Sequence, residues 1–464
     1  MMAKQKYILD MSRGPIFKNT IRFAIPLMFA SFLQLFYNAA DLVIVSRFAG
    51  SNAMAAVGAT SALSNLLINI FVGLSVGASV VVSRKFGAHK TKEMKRAVHT
   101  SIFLGMIMGI VAGIIGFIFS KPLLIMMGTP EGEVLDGAVL YMQIIFLGVP
   151  ASLSYNFGAS VLRAVGDTKR PLYILALSGL VNVLLNLVLV ICFDLSVAGV
   201  AIATSVSNYL SMAAVLVIMT RSSGEIKLNW KKLKFYPNEL KEILQIGIPA
   251  GVQSSFFSLS NTVIQSSVNS FGEAAVAGNA AAGNIDGFIY VAMNAFYQAS
   301  LTGVSQNYGA RSEKRVNKTI WVSLLSVSVV GFGLGMLCVV FAKPLLGFYI
   351  TDSAEALEYG IKRMVVTSSL YFLCGIMEVL TGALRGLGCS ITTAVTSFIG
   401  TCGFRIFWVT FVMGMLSGGI EKLYLCWPIS WLMVVLMHVV TLMVVKPRAM
   451  KHMRHEMQIE EMLS

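Results

Sequence analysis

A set of short motifs occurs twice in this chain, about 222 residues apart, and this duplication limits the available folds more than any other feature. Three pairs keep that spacing, and a fourth is one residue longer. The pairs are SRKFGA at 83–88 with SQNYGA at 305–310, KPLL at 121–124 with 343–346, LRAVG at 162–166 with LRGLG at 384–388, and IP at 25–26 with 248–249. Two similar membrane lobes about a common site are the usual plan of a transporter.

Composition places both copies in a membrane. Of the 464 residues, 56% are hydrophobic and 12% are charged, whereas soluble domains carry about 25% charged residues. A membrane-spanning helix needs about 20 apolar residues, and this criterion predicts twelve spans. They are 16–46, 54–83, 95–120, 137–162, 170–193, 197–220, 241–269, 276–305, 316–341, 359–384, 390–416 and 422–445.

One long polar connection, at 221–240, separates the sixth span from the seventh and falls between the two copies. We therefore predict an all-α integral membrane protein of two six-helix lobes. The N-lobe is expected at 1–222, a cytoplasmic linker at 223–240 and the C-lobe, with a basic tail, at 241–464.

The basic residues predict the orientation. When the spans alternate across the membrane, 29 of the 36 Lys and Arg residues fall on one side and 6 on the other. Basic loops stay in the cytoplasm, so both termini are expected there, in a protein of the plasma membrane. Six spans in each half make the repeat parallel, because both halves enter from the same side. The bias also accounts for the net charge of +14 without a nucleic-acid partner.

A polar stripe in the first span is the first candidate site. Gln34, Tyr37, Asn38 and Asp41 follow one another at i, i+3, i+4 and i+7, which places them on one helix face. Asp41 is the only acid in this span. Acids inside membranes are costly and usually face the bundle interior or water, so we predict that Asp41 binds and releases a proton. The alternative is an Asp that only joins helices by hydrogen bonds.

The fifth span carries a second stripe. Ser178, Asn182 and Asn186 repeat at intervals of four residues, and Thr204 of the sixth span is placed to join them. Such side chains form a cation site with Asp41 on one interpretation, and hold helices together on the other.

The second half contains candidates for a substrate cavity. Buried acids and a buried base invite pairing, so Arg405 is predicted to pair with Asp286 or Glu378, either as a structural ion pair or within a cavity that attracts cations. Met293 suits an adaptable pocket, although packing in the core is its alternative role. The predicted cavity residues are Gln34, Asn156, Gln253, Ser254, Asp286, Tyr290, Met293, Glu378 and Arg405.

Catalytic motifs are missing from the sequence. It contains no Walker A loop, HExxH or zinc-ligand spacing, so we expect no enzyme, no metal site and no cofactor, and any transport to be secondary or facilitated. No coiled-coil or partner motif is present, and we expect a monomer that contacts membrane lipid.

The motifs together resemble the multidrug and toxic compound extrusion (MATE) family over essentially the whole chain. The first helix, with IP at 25–26 and YNAAD at 37–41, is similar to the DinF-like branch, LRAVGD at 162–167 and LRGLG at 384–388 resemble the repeated family loops, and VAGVAIAT at 197–204 resembles the opening of the sixth helix. The resemblance implies the two-lobe fold of the MOP superfamily.

The same resemblance implies an antiporter that exports organic, often cationic, compounds in exchange for H⁺ or Na⁺ by alternating access. It carries over Asp41, Tyr37, Asn38, Asn182 and Thr204 as the cation-coupling site. Asn186 joins that site at a position where some members of the branch have a second acid. The alternative function is a lipid or lipid-linked oligosaccharide flippase of the same superfamily, for which more buried arginines would be expected.

Overall fold

The computed structural model describes residues 7–351, 353–415 and 419–463, apart from the side chains of some residues in 49–67, at 415 and in 452–463. In these ranges the regular structure is helical throughout. The helices of the first half are α1 Ile16–Ile44, α2 Gly50–Gly87, α3 Thr91–Met126, α4 Glu133–Ala164, α5 Lys169–Leu187 and α6 Ser196–Arg221. Short π-helical segments extend α1 over Val45–Ala49 and α5 over Val188–Cys192.

The second half begins after a connection that contains the 3₁₀ turn Trp230–Lys232. Its helices are α7 Pro237–Asn269, α8 Glu273–Gly309, α9 Glu313–Val340, α10 Ala342–Gly347, α11 Ala354–Thr367, α12 Tyr371–Gly386, α13 Ser390–Ser397, α14 Phe404–Phe407, α15 Met413–Met415 and α16 Glu421–Leu463. The 3₁₀ turn Ser368–Leu370 joins α11 to α12, and π-helical segments at Phe398–Gly403 and Trp408–Val412 connect α13, α14 and α15.

Ten helical segments among the described residues are long and apolar enough to cross a membrane. The helices α7 and α8 are not among them, although with 33 and 37 residues they exceed the length that a span needs. Both carry many polar side chains, which lower their hydropathy. The ten segments together with α7 and α8 correspond to the twelve predicted spans, and the predicted all-α membrane fold is confirmed.

The duplicated motifs form duplicated loops. His89 and Arg311, 222 residues apart, both have positive φ, at 55° and 56°. Gly166 and Gly388 repeat the pattern with φ of 82° and 94°. In the loops that contain these two glycines, a backbone N–H donates a hydrogen bond to the carbonyl five residues earlier. The bonds run from Asp167 to Leu162 and from Cys389 to Leu384, both at 2.9 Å. The repeat is therefore structural down to individual hydrogen bonds.

Asp167 lies in one of these loops, between α4 and α5, and gives a prediction about pH. Its side chain is fully buried, accepts a hydrogen bond from the Arg170 backbone N–H at 3.1 Å and lies 3.2 Å from Arg170 Nε. Burial raises the pKa of Asp167 to about 6 despite this partner. The folded state thus keeps its proton to a higher pH than the unfolded chain, so this group contributes less stability as pH rises from about 4 to 6, by about 3 kcal/mol in total.

We therefore expect Asp167→Asn to change the pH profile of unfolding. The melting temperature of the unsubstituted protein should fall relative to that of the variant as pH rises from about 4 to 6, as measured in detergent. Asp136→Asn, at an exposed position near the start of α4, is the matched control and should run parallel to the unsubstituted protein. The prediction would be contradicted if the difference in melting temperature between the Asp167→Asn protein and the unsubstituted protein stayed constant across this range.

The described chain divides into two compact units. Of the described residues, the first unit comprises 7–9 and 29–251, and the second comprises 10–28, 252–351, 353–415 and 419–463. Each boundary inside a helix lies two residues beyond a proline, Pro26 in α1 and Pro249 in α7. The lobe boundaries predicted at 222 and 241 concern segments that are expected to move as bodies during transport, whereas these units are defined by contacts. The lobe boundaries therefore stay a prediction.

Within the first unit, α2 and the beginning of α7 approach each other through glycines. Gly73 and Gly77 are spaced four residues apart in α2, as are Gly247 and Gly251 in α7. A Cβ on Gly77 would lie 2.2 Å from the Ile243 carbonyl oxygen, and a Cβ on Gly73 would lie 2.3 Å from Gly251 Cα. Two glycine pairs at GxxxG spacing thus permit direct backbone contact, a recurring way of packing membrane helices.

Candidate cation and substrate sites

The first candidate site is built around Asp41, a half-buried residue near the end of α1. The Asn186 side-chain amide of α5 donates a hydrogen bond to Asp41 Oδ1. Asn182, one turn earlier in α5, accepts a hydrogen bond from Asn186 at 3.4 Å and donates one to Thr204 Oγ1 of α6, also at 3.4 Å. The structure therefore links four of the predicted cation-coupling residues into one chain across three helices.

Tyr37 fixes α1 against α5. Its hydroxyl donates a hydrogen bond to the Ala176 carbonyl at 3.1 Å. Its ring lies against Gly179, where an added Cβ would come within 1.8 Å of the ring. Gly179 was not predicted as a site residue, and it allows Tyr37 to occupy this place.

The remaining first-half candidates stand apart from this chain of hydrogen bonds. Gln34 and Asn38 are exposed on α1, and neither is hydrogen-bonded to the described residues of the cluster. The Asn156 amide donates to the Ser152 carbonyl of its own helix, at 2.9 Å. Their assignment to a cavity or coupling site stays a prediction.

The electrostatics of the Asp41 cluster favour a cation. Among the described residues, no Lys, Arg or His forms an ion pair with Asp41, and its hydrogen-bond partner is the neutral Asn186. The Asn186 Oδ1 atom is buried and has no hydrogen-bond donor in the part of the chain that the structure describes. Carboxylate, amide and hydroxyl oxygens are the ligands that hard cations prefer. A carboxylate can also bind a proton without any other ligand. The residues present therefore fit either H⁺ or Na⁺.

The second candidate site is a cavity of about 470 Å³ within the second unit. Of the predicted cavity residues, Asp286, Tyr290, Glu378 and Arg405 line it. Aromatic side chains form much of the remaining wall, namely Phe257, Tyr371, Trp427 and Trp431. A cavity of this size with aromatic walls and a few charged groups suits a small organic molecule.

The predicted pairing of Arg405 with Asp286 or Glu378 is wrong. Asp286 instead pairs with Arg363 of α11, whose Nη2 lies 3.2 Å from Asp286 Oδ2. Ser368 and Thr367 also donate hydrogen bonds to this carboxylate, at 2.7 and 3.3 Å. Arg363 Nη1 also donates hydrogen bonds to the backbone and the side-chain oxygen of Asn279, both at 2.6 Å. The Arg363 guanidinium lies 4.9 Å from the centre of the Trp427 ring.

Arg405 is satisfied by neutral groups. It is 1% exposed and donates hydrogen bonds to Ser430 at 3.1 Å, Ser260 at 3.2 Å and Asn261 at 2.9 Å. No carboxylate of the described residues lies within ion-pair distance of it. The side chains that accept hydrogen bonds from Arg405 come from α7 and α16, and Asp286 is already paired with Arg363.

Glu378 is the second acid of the cavity. It has no hydrogen-bond partner among the described residues, and its charge interacts with that of Arg385, seven residues further along α12. Arg385 is buried, with hydrogen bonds to the Tyr297 hydroxyl at 2.6 Å and to Gln253 Oε1 at 2.7 Å. Gln253, a predicted cavity residue, thus belongs to this buried network and donates onward to Ser397 at 2.8 Å.

Two further predicted cavity residues lie elsewhere. Met293 is fully buried and packs against Gly331 and Gly375, which is the core position that was its alternative. Ser254 of α7 does not line the cavity. Sequence reasoning also missed a lining residue, Arg363, because its position near the start of the tenth predicted span placed it among the basic residues outside the membrane.

The Asp286–Arg363 pair gives a prediction about stability. Both side chains are mostly buried, at 5% and 12% exposed, and removal of one partner of a buried ion pair costs about 3–5 kcal/mol because a charge is left uncompensated. We therefore expect Arg363→Gln to lower the melting temperature in detergent strongly. The double variant Asp286→Asn, Arg363→Gln should recover most of the loss, and a double variant no more stable than Arg363→Gln would show that Asp286 does not need the charge.

Comparison with known proteins agrees with this architecture. The MatE family model matches residues 26–188 and 249–411. The second segment starts and ends 223 residues after the first, close to the spacing of the duplicated motifs. The chain is 26% identical over 403 residues to the probable multidrug resistance protein YoeA of Bacillus subtilis, covering 85% of this chain and 86% of the relative. It is 24% identical over 419 residues to the multidrug export protein MepA of Staphylococcus aureus, covering 90% and 91%.

A solved structure shows the same fold. An outward-facing multidrug resistance MATE family transporter of the MOP superfamily superposes with a TM-score of 0.88 at 20% identity, over 98% of this chain and 100% of the other.

Proposed function

Because this chain belongs to the MatE family, the multidrug and toxic compound extrusion transporters, we propose that it is a secondary active multidrug exporter that exchanges small organic compounds for H⁺ or Na⁺. Its relatives named for multidrug resistance and multidrug export support the drug substrates. We further propose that it works as a monomer in the plasma membrane with both termini in the cytoplasm, in agreement with the distribution of its basic residues.

A single observation carries the cation coupling. Asp41 is a carboxylate in a membrane-spanning helix whose described neighbours offer hydrogen bonds but no basic side chain. An uncompensated charge is unfavourable in such surroundings, so binding of H⁺ or Na⁺ stabilises this cluster. Asn182, Asn186 and Thr204 supply the surrounding oxygen atoms, and Tyr37 holds α1 against α5.

The aromatic cavity of the second unit is the proposed substrate site. Glu378 has no hydrogen-bond donor of its own among the described residues and is free to attract a cationic group, while the aromatic walls bind flat apolar compounds. Transport then requires that the coupling cation bind two conformations of the protein with different affinity, because a cation bound equally by both shifts no equilibrium.

Arginines in the same cavity favour a second candidate function. Arg363 and Arg405 both line it, and Arg405 has no carboxylate partner among the described residues. Such a surface would also accept an anionic group, which is what a lipid or lipid-linked oligosaccharide flippase needs.

Transport in proteoliposomes tests both functions. A fluorescent organic cation is loaded into vesicles that contain the purified full-length protein, and either a pH gradient or a sodium gradient is imposed. We expect efflux under one gradient only, which names the coupling ion. Efflux unaffected by either gradient, together with translocation of a fluorescent anionic phospholipid, would overturn the antiporter in favour of the flippase.

A further inference from the structure

A second cavity, of about 630 Å³, lies in the first unit between the start of α3 and the connection that follows α6. Its lining is strongly basic. Lys92, Lys95 and Arg96 come from the first turns of α3. Four more basic residues come from the connection, Lys227, Lys231, Lys232 and Lys234. We refer to this feature as the basic cavity.

No acidic side chain in the part of the chain that the structure describes neutralises the charges of the basic cavity. None of its lining residues is acidic, and none of these seven basic side chains forms an ion pair with a described residue. The nearby acids are engaged elsewhere, Glu93 with Lys85 at 2.8 Å and Glu225 with the Thr91 hydroxyl at 2.8 Å. Seven like charges around one space repel each other, and a bound anion would offset that repulsion.

The connection is held in place against α3, so the cavity is a formed feature. The Asn229 N–H donates to His99 Nε2 at 3.0 Å, and the Tyr236 N–H donates to Thr100 Oγ1 at 3.2 Å. The Phe235 ring packs on Phe103, with ring centres 4.7 Å apart. These contacts hold the basic residues of the connection opposite those of α3.

The position of the basic cavity indicates the source of the anion. Its α3 residues belong to the first turns of a segment that is apolar enough to span the membrane from Thr91 onward, so we expect the cavity to lie at the level of the lipid headgroups. Trp230, between the cavity residues of the connection, is 52% exposed. Exposed Trp beside basic residues at the end of a span is typical of the membrane interface.

We propose that the basic cavity binds the phosphate of an anionic phospholipid, in the leaflet that the charge distribution predicts to be cytoplasmic. Basic pockets on that side of membrane proteins bind anionic headgroups. The lysine ammonium groups contact the phosphate oxygens, and Tyr236, flanked by Arg96 at 5.6 Å and Lys234 at 5.2 Å, keeps two of the cations in place. This binding does not depend on the proposed transport activity.

Native mass spectrometry of the purified full-length protein tests the proposal. Phosphatidylglycerol and phosphatidylcholine with the same acyl chains are titrated separately, and glycerol 3-phosphate is added as a soluble phosphate. The test variant is Lys227→Gln, Lys231→Gln, Lys234→Gln. The control variant is Lys314→Gln, Lys318→Gln, Lys451→Gln, which removes the same charge from exposed positions outside the cavity. Lys314 and Lys318 are the 222-residue counterparts of Lys92 and Arg96.

We expect the test variant to bind phosphatidylglycerol about tenfold or more weakly, the control variant to bind as the unsubstituted protein does, and phosphatidylcholine to bind weakly to all three. Equal binding by test and control variants would overturn the site. Glycerol 3-phosphate that displaces phosphatidylglycerol at comparable concentration would overturn the lipid as its source. If the triple variant does not fold, Lys231→Gln alone should weaken phosphatidylglycerol binding measurably, and no change would equally overturn the site.

Discussion

Asp41→Asn should abolish ion-driven efflux while leaving the protein folded. Asn keeps the shape and a hydrogen-bonding group toward Asn186, but it neither carries a charge nor takes up a proton. The two conformations would then differ no longer in cation affinity, so the gradient could not drive them. In proteoliposomes, we expect the initial rate of gradient-driven efflux to fall by about a hundredfold, to the level of protein-free vesicles.

Two variants make this result specific. Asp136→Asn removes the same charge from an exposed position at the start of α4 and should transport as the unsubstituted protein does. Asp41→Glu keeps the carboxylate and should retain part of the rate. The coupling role of Asp41 would be excluded by an Asp41→Asn protein whose efflux still responds to the gradient.

The architecture was predictable because short segments of the sequence determine it. Apolar runs of span length specify membrane helices wherever they occur, and the duplicated loop motifs specify duplicated backbone. The glycines at 166 and 388 illustrate this, since both take the positive φ that glycine accommodates most easily. The stripes that share one helix face, such as Tyr37 with Asp41, were predictable for the same reason, because a helix repeats every 3.6 residues.

The partners of the charged residues were not predictable in this way. Helical periodicity states which side chains share a face, but it does not state which helix lies opposite. Asp41 meets Asn186 across 145 residues of sequence. Periodicity left open whether the two polar stripes form one site, and the family resemblance favoured a single site. For Asp286 no such guide existed. Its partner Arg363 lies near the end of a span, where a basic residue usually faces water.

The glycine contacts between α2 and α7 were also missed, although both GxxxG spacings are visible in the sequence. Glycine is frequent in membrane helices, so spacing alone does not distinguish a contact from an open surface. Gly58, in the same helix as Gly73 and Gly77, shows the difference, since a Cβ there would meet no atom of the described residues within 4 Å. The distinction depends on the neighbouring helix and is visible only in the structure.

Gly77→Val should therefore destabilise the protein strongly. An added Cβ would lie 2.2 Å from the Ile243 carbonyl oxygen and 2.8 Å from Gly247 N. Both are backbone atoms, so no change of rotamer relieves the overlap and α2 must move away from α7. That movement also opens the Gly73–Gly251 contact. Overpacking in a core costs about 1–3 kcal/mol and occasionally more, and we expect the upper end here, measured as a lower melting temperature in detergent.

The matched control for this variant is Gly58→Val. It adds the same side chain to the same helix, and with it the same change in helix propensity, but at a position where a Cβ meets none of the described atoms within 4 Å. Its melting temperature should remain close to that of the unsubstituted protein, and Gly77→Ala should fall between the two valine variants because its single Cβ already meets the carbonyl. Equal melting temperatures for Gly77→Val and Gly58→Val would show that α2 and α7 do not make this contact in the membrane protein.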